Sequence, residues 1–175
     1  MKTIASKNIP DLLLIQPEIF YDFRGEYVET FNSKNYQFVG NDGVAIHFKE
    51  DDISVSSYTV LRGLHGDGKT WKLIQCLVGQ IFFVVVDMRP GSKGYLKYES
   101  FTLNEKNRWQ VLVPANCANG HLCMSDRCVF SYKQSEIYTG SDTQFTLRWD
   151  DPKLNIKWPI KSPLLSDRDS SAPFL

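Results

Sequence analysis

The sequence predicts an all-β fold of the antiparallel sandwich or jelly-roll type, with short helices, an irregular C-terminal segment and one domain over residues 1–175. Three observations carry that prediction. Short apolar runs are separated at close intervals by Gly, Pro and Asn. One run, 79–87 (Gly-Gln-Ile-Phe-Phe-Val-Val-Val-Asp), is apolar at both odd and even positions, which suits a strand covered on both faces. Helical periodicity is scarce.

Taken in order, the elements are these. A short helix is expected near 33–38. A strand ends at His65, where a glycine-rich turn begins. The 79–87 strand stops at Pro90-Gly91, a turn signal. A strand over 95–103 turns at Asn104-Glu105-Lys106-Asn107 into a strand over 108–113, which Pro114 breaks. Strands over 120–124 and 127–135 follow, and 158–175, rich in Pro, Ser and Asp, is expected as loops or short turns.

Charge narrows the partners. Lys and Arg number 20 and so do Asp and Glu, so no basic excess exists to neutralise a nucleic-acid backbone. No apolar run approaches the roughly 18 residues of a membrane helix, and the start has no apolar signal core, so a cytoplasmic protein is expected. Cys76, Cys117, Cys123 and Cys128 form no C-x-x-C pair and read as small buried hydrophobes.

Only three histidines are present, His47, His65 and His121, and no H-x-H pair occurs, so no metal site is expected. No G-x-S-x-G elbow supports a serine hydrolase. Arg62, His65 and Lys72 gather around one turn. Such a set suits either an anionic ligand whose chemistry needs a base or a solvated loop with snorkelling cations. Strand alternation puts Arg62 and His65 on opposite faces unless a bulge intervenes, which Gly63 permits.

An ordered series of motifs runs from about Pro17 to Phe174: Asp22-Phe23-Arg24-Gly25, Glu29-Thr30-Phe31, Leu61-Arg62-Gly63-Leu64-His65, Lys72-Leu73, Val84-Val85-Val86-Asp87-Met88-Arg89, Phe130-Ser131-Tyr132-Lys133, Arg148-Trp149-Asp150-Asp151-Pro152 and Leu165-Ser166-Asp167-Arg168-Asp169. In this order the series resembles the dTDP-4-dehydrorhamnose 3,5-epimerase family. The resemblance implies a cupin-type sandwich, a homodimer sharing N-terminal strands, no cofactor, and a nucleoside-diphosphate 4-keto sugar as substrate. It implies His65 as base, Asp169 as its orienting partner, Tyr132 as acid from the opposite face, and Lys72 as the cation steadying the enolate. It places Arg24 and Arg62 on the diphosphate, and Tyr27, Glu50 and Asp52 on the sugar or nucleotide.

The chain departs from the family pattern near that site. Asn119 and Phe83 stand where a histidine and an aspartate are usual, and Glu50 and Asp52 where Gln and Asn are usual. His121, two residues beyond Asn119 on the same strand face, either takes a polar role at the site or is a satisfied core histidine. The short loop Gly66-Asp67-Gly68-Lys69-Thr70-Trp71 resembles that of a subgroup acting on GDP-linked 4-keto heptoses of bacterial capsules. A preference for that substrate is therefore expected. The alternatives are a 3,4-ketoisomerase of related fold and a non-catalytic sugar-binding cupin.

Overall fold

The computed structural model describes residues 1–40 and 43–175. In chain order the strands are β1 (Lys2–Ala5), β2 (Leu13–Gln16), β3 (Ile19–Asp22), β4 (Gly25–Val28), β5 (Phe38–Val39), β6 (Ala45–Ile46), β7 (Glu50–Ser57), β8 (Leu61–Gly66), β9 (Lys72–Val78), β10 (Gln80–Asp87), β11 (Tyr98–Asn104), β12 (Gln110–Val113), β13 (Cys117–Cys123), β14 (Arg127–Gln134) and β15 (Phe145–Thr146). One helical turn, α1 (Asp167–Ser170), lies near the C-terminus. Two antiparallel sheets face each other in the cupin-type sandwich, ordered β1-β2-β12-β9-β14-β7 and β11-β10-β13-β8-β15.

The two-sided apolar pattern of β10 has the expected result. Ile81, Phe83 and Val85 enter the core between the sheets, with Ile74, Cys76, Cys128 and Phe130 opposite. Val84 and Val86 face the other way and are covered by Leu147, Leu154 and Trp158 of the C-terminal segment. Asp87 ends the strand fully buried, its Oδ1 accepting from Arg89 Nε at 2.8 Å and its Oδ2 from the Ser92 hydroxyl at 2.6 Å. All four cysteines are buried and unbridged. No described helix is long and apolar enough to cross a membrane.

Several sequence expectations shift. The stretch expected as a helix over 33–38 is a turn at 33–35, because the Asn32 side chain accepts from Lys34 N at 2.9 Å and its carbonyl from Tyr36 N, after which the chain runs into β5 at Phe38. The expected strand over 95–103 starts later, at Tyr98, since Leu96 takes a positive φ in the preceding turn. Arg108, with φ 53°, likewise belongs to a turn, so β12 starts at Gln110. The fourth difference runs the other way, with β13 starting earlier at Cys117 and pairing along β10 from Asp87 to Ile81.

The feature that shapes the interior is a bulge between β8 and β13. Asn119 pairs with His65 and His121 with Arg62, so three steps on β8 span two on β13. Gly63 makes this possible. Its φ is +129°, and a Cβ there would stand 2.6 Å from Gly120 Cα and 2.9 Å from the Asn119 carbonyl oxygen.

Candidate active site

A cavity of about 540 Å³ opens between the sheets, within the size range of small-molecule sites. The bulge turns both Arg62 and His65 to its wall despite their odd spacing. Lys72 and Tyr132 reach it from the opposite sheet, on β9 and β14. Asn119 and His121 line it from β13.

The C-terminal segment closes one side. Leu61 N donates to the Leu164 carbonyl and Leu164 N to the Thr59 carbonyl, each at 3.0 Å, which stitches the segment to the start of β8. Ser166 then caps α1, its hydroxyl accepting from Asp169 N. Arg168 anchors the turn by donating from Nη2 to Thr146 Oγ1 of β15 at 2.8 Å. Asp169 thereby arrives buried, with its Oδ1 2.6 Å from His65 Nε2. Burial by itself raises an aspartate, but the His65 hydrogen bond and charge, the Gly63 N–H and the Ser166 hydroxyl outweigh it and hold the carboxyl below its usual range. A carboxylate on Nε2 fixes the ring and the tautomer, which leaves Nδ1 as the acceptor. Asn119 Nδ2 donates to the His65 carbonyl at 3.1 Å and braces the same residue from behind.

The opposing wall is differently charged. Lys72 is 7% exposed, and its burial pushes the ammonium below the ordinary lysine value, with Asp67 opposing the shift. Tyr132 is pushed upward by burial first and then by Asp52 and Glu50, so its phenol stays protonated. Asp52 lies opposite Tyr132 in the β7–β14 register. Gln134 Nε2 donates to Glu50 Oε1 at 3.3 Å and to Asp52 Oδ2 at 3.2 Å. Gln134 lines the cavity; Glu50 and Asp52, expected at the site, do not, and are joined to it through the Gln134 amide.

Two expected residues lie elsewhere. Arg24 and Tyr27 belong to the β3–β4 hairpin, outside this cavity, with Arg24 paired to its neighbour Asp22 and its side chain 76% exposed. A separate surface recess is lined by both, and their hairpin forms a two-stranded sheet of its own that pairs with neither face of the sandwich. Phe83, expected beside the site, is fully buried in the core. Sequence reasoning missed Gln134, Tyr138 and Arg168 on the cavity wall. The period of two from Tyr132 points to Gln134; Arg168 carries no signal without the folded-back end. Among the described residues no group of three or more His, Cys, Asp and Glu side chains is arranged to hold a metal.

An imidazole braced by a carboxylate in one sheet faces a phenol and a buried lysine in the other, and this arrangement on a cupin-type sandwich belongs to the isomerases. The comparisons with known proteins make the class specific. The family model described as dTDP-4-dehydrorhamnose 3,5-epimerase matches residues 6–175. The chain is 36% identical to the dTDP-4-dehydrorhamnose 3,5-epimerase of Shigella flexneri, over 95% of this chain and 92% of the relative. The crystal structure of the Bacillus anthracis enzyme of that name, with TDP and pyrophosphate bound, superposes with a TM-score of 0.90 at 34% identity, covering 99% of each chain. A dTDP-6-deoxy-D-glucose-3,5-epimerase from Legionella pneumophila, in complex with dTDP-4-keto-L-rhamnose, gives 0.89 at 32% identity, over 99% of this chain and 92% of that one. The chain belongs to the dTDP-4-dehydrorhamnose 3,5-epimerase family.

Proposed function

We propose that the cavity binds a nucleoside-diphosphate 4-keto sugar and inverts carbon 3, carbon 5 or both through an enolate. The observation that supports this most is the approach of His65 and Tyr132 to one cavity from opposite sheets. Inversion needs a base on one face of a carbon and an acid on the other.

His65 Nδ1 removes the proton beside the ketone, and the C–H electron pair moves to the carbonyl oxygen. Asp169 stabilises the imidazolium through Nε2–H. The Lys72 ammonium meets the developing oxyanion in a site where burial strengthens the attraction. Tyr132 then protonates the carbon from the opposite face, and solvent restores the phenol and discharges His65. Each step uses side chains of the protein, with neither cofactor nor metal. Arg62, which lines the cavity with its guanidinium donating to Ser56 Oγ and the Val55 carbonyl, would hold the diphosphate. Glu50 and Asp52 meet the nucleotide or sugar at the mouth.

A homodimer completes the site in this reading. The β3–β4 hairpin exposes Phe20 at 54%, Tyr21 at 70% and Phe23 at 98%, an apolar surface that a second copy would cover. Arg24 and Tyr27 of the partner subunit would then reach the diphosphate end of the cavity.

The wall favours a particular substrate. Asn119, bracing His65 from behind, stands where the family pattern has a histidine and so removes a charge from that side of the wall, while base, acid and lysine are kept; Phe83 lies in the core and not on the wall. That pattern supports a GDP-linked 4-keto heptose over the dTDP-linked 4-keto-6-deoxyhexose, in bacterial surface-polysaccharide synthesis such as that of capsule or O-antigen. The test is incubation of both substrates in deuterated water. Deuterium should enter carbon 3, carbon 5 or both, at a rate that chelators leave unchanged, with the larger kcat/KM for the GDP-linked sugar. Faster turnover of the dTDP-linked sugar overturns the heptose preference, and absence of exchange in both overturns the epimerase.

A further inference from the structure

His121 lies on the cavity wall, yet its ring serves neither the proton transfers nor, among the described residues, the fold's hydrogen bonding. The residue is 3% exposed, and its Nε2 is buried with no partner among the described residues. Buried polar groups left without a partner cost stability and are few in native proteins. The ring is held face to face with Phe130, centroids 4.1 Å apart and planes 15° from parallel. Burial, then Arg62 and His65 nearby, hold its pKa down to about 3, so the ring is a neutral donor and acceptor across the working pH range. Phenylalanine would fill the same place without the unpaired nitrogen.

The strand registers say which part of a substrate comes near. On β9 and β14, Lys72 lies opposite Gln134, Ile74 opposite Tyr132 and Cys76 opposite Phe130. On β13 and β8, Asn119 lies opposite His65 and His121 opposite Arg62. The His121–Phe130 stack aligns the two series, and contact between Cys123 and Cys128 on its far side fixes their direction. Three layers result: Lys72 at one end, His65 with Tyr132 in the middle, and His121 with Arg62 at the other. If the reacting carbons sit in the middle and the C4 oxygen at Lys72, the ring atoms remote from C4 face His121. Carbon 1 carries the diphosphate, so the hydroxyl left on that side is the one on carbon 2.

From this juxtaposition we infer that His121 is a specificity-determining residue that hydrogen-bonds the carbon 2 hydroxyl of the sugar. A half-turn about χ2, a soft two-fold torsion, exchanges the ring's nitrogens and carbons, which lets the ring offer a nitrogen to the cavity while keeping its stack on Phe130. The assignment rests on the epimerase reading, and the test separates the two.

The probes are a GDP-linked 4-keto heptose and its 2-deoxy analogue, beside a dTDP-linked 4-keto-6-deoxyhexose and its 2-deoxy analogue. The wild type should show a kcat/KM lower by about tenfold or more for the 2-deoxy sugar. His121→Phe should lose about that factor on the parent and show no further loss on the analogue, while His121→Gln restores part of the discrimination. A purely structural histidine would leave the 2-deoxy penalty intact in His121→Phe, and that result overturns the assignment, as does a wild type indifferent to the hydroxyl. Should His121→Phe fail to fold, the ¹⁵N resonances of the wild type serve, since only three histidines need assigning. His121 nitrogen shifts that respond equally to parent and analogue overturn the inference. Absence of solvent deuterium in every wild-type reaction instead overturns the epimerase reading, and this assignment with it.

Discussion

At the scale of single residues, base and acid make separable predictions. His65→Asn should abolish both deuterium exchange and inversion, because no proton leaves the carbon. Tyr132→Phe should keep some exchange while blocking inversion, because His65 can return a deuteron to the face it came from. Losses on the order of 10²–10⁴-fold are expected for each, read by mass spectrometry for exchange and by NMR for configuration. Near-normal inversion in His65→Asn would remove it from the mechanism. Lys72 predicts a pH effect whose sign follows from its burial. A lowered lysine loses its charge earlier on the way up, so kcat should fall on the alkaline side below the ordinary lysine value of about 10.4. Tyr132, shifted upward, deprotonates above its ordinary value of 10.0, so a limb well below that pH is not its own. In Lys72→Arg the limb should move to higher pH, because a guanidinium stays charged; a pH–kcat profile with an unmoved limb would exclude Lys72 as its source.

At the scale of elements, the β8–β13 bulge is what converts a motif into a site. Leu61-Arg62-Gly63-Leu64-His65 in a regular strand would send Arg62 and His65 to opposite faces. Gly63→Ala should therefore harm both stability and activity. The φ of +129° and the 2.6 Å approach of Gly120 leave no room for a methyl group. A loss of about 1–3 kcal/mol is expected, measured by urea unfolding, together with a fall in kcat as His65 moves off Asp169. Gly91→Ala is the control: its φ of +84° is also strained, but open space surrounds it and it lies in a turn outside the cavity wall, so kcat should hold. Equal effects on kcat from the two substitutions would mean that the bulge does not position the site. The glycine was legible as a permissive residue, but the register shift was not, since it depends on where β13 lies.

For the whole molecule, the C-terminal segment closes the cavity within the chain, whereas the N-terminal hairpin reaches a cavity only in the proposed dimer. The segment 164–169 returns within the chain and delivers Asp169. The hairpin leaves Arg24 outside, so the role proposed for it at the diphosphate requires a second copy. Sedimentation should give twice the mass of one chain, and Phe23→Asp should shift it toward the single chain and raise KM more than it lowers kcat. A monomeric wild type with full activity would exclude the shared site.

The sequence by itself determined the sandwich, the family and the residue types of the site, because alternation, turn residues and ordered motifs are local features that survive without coordinates. It located Asp169 only through its motif, since nothing in the spacing of residues 65 and 169 says that they meet. Tertiary structure decided the rest. It turned Arg62 and His65 to one wall through the bulge, added Gln134 and Arg168 to the cavity, kept Arg24 and Tyr27 out of it, and left His121 Nε2 buried with no hydrogen-bond partner among the described residues. These are long-range facts: side-chain neighbourhoods are set by which strands pair and in what register, and a pairing across a sandwich leaves no periodic trace in the chain.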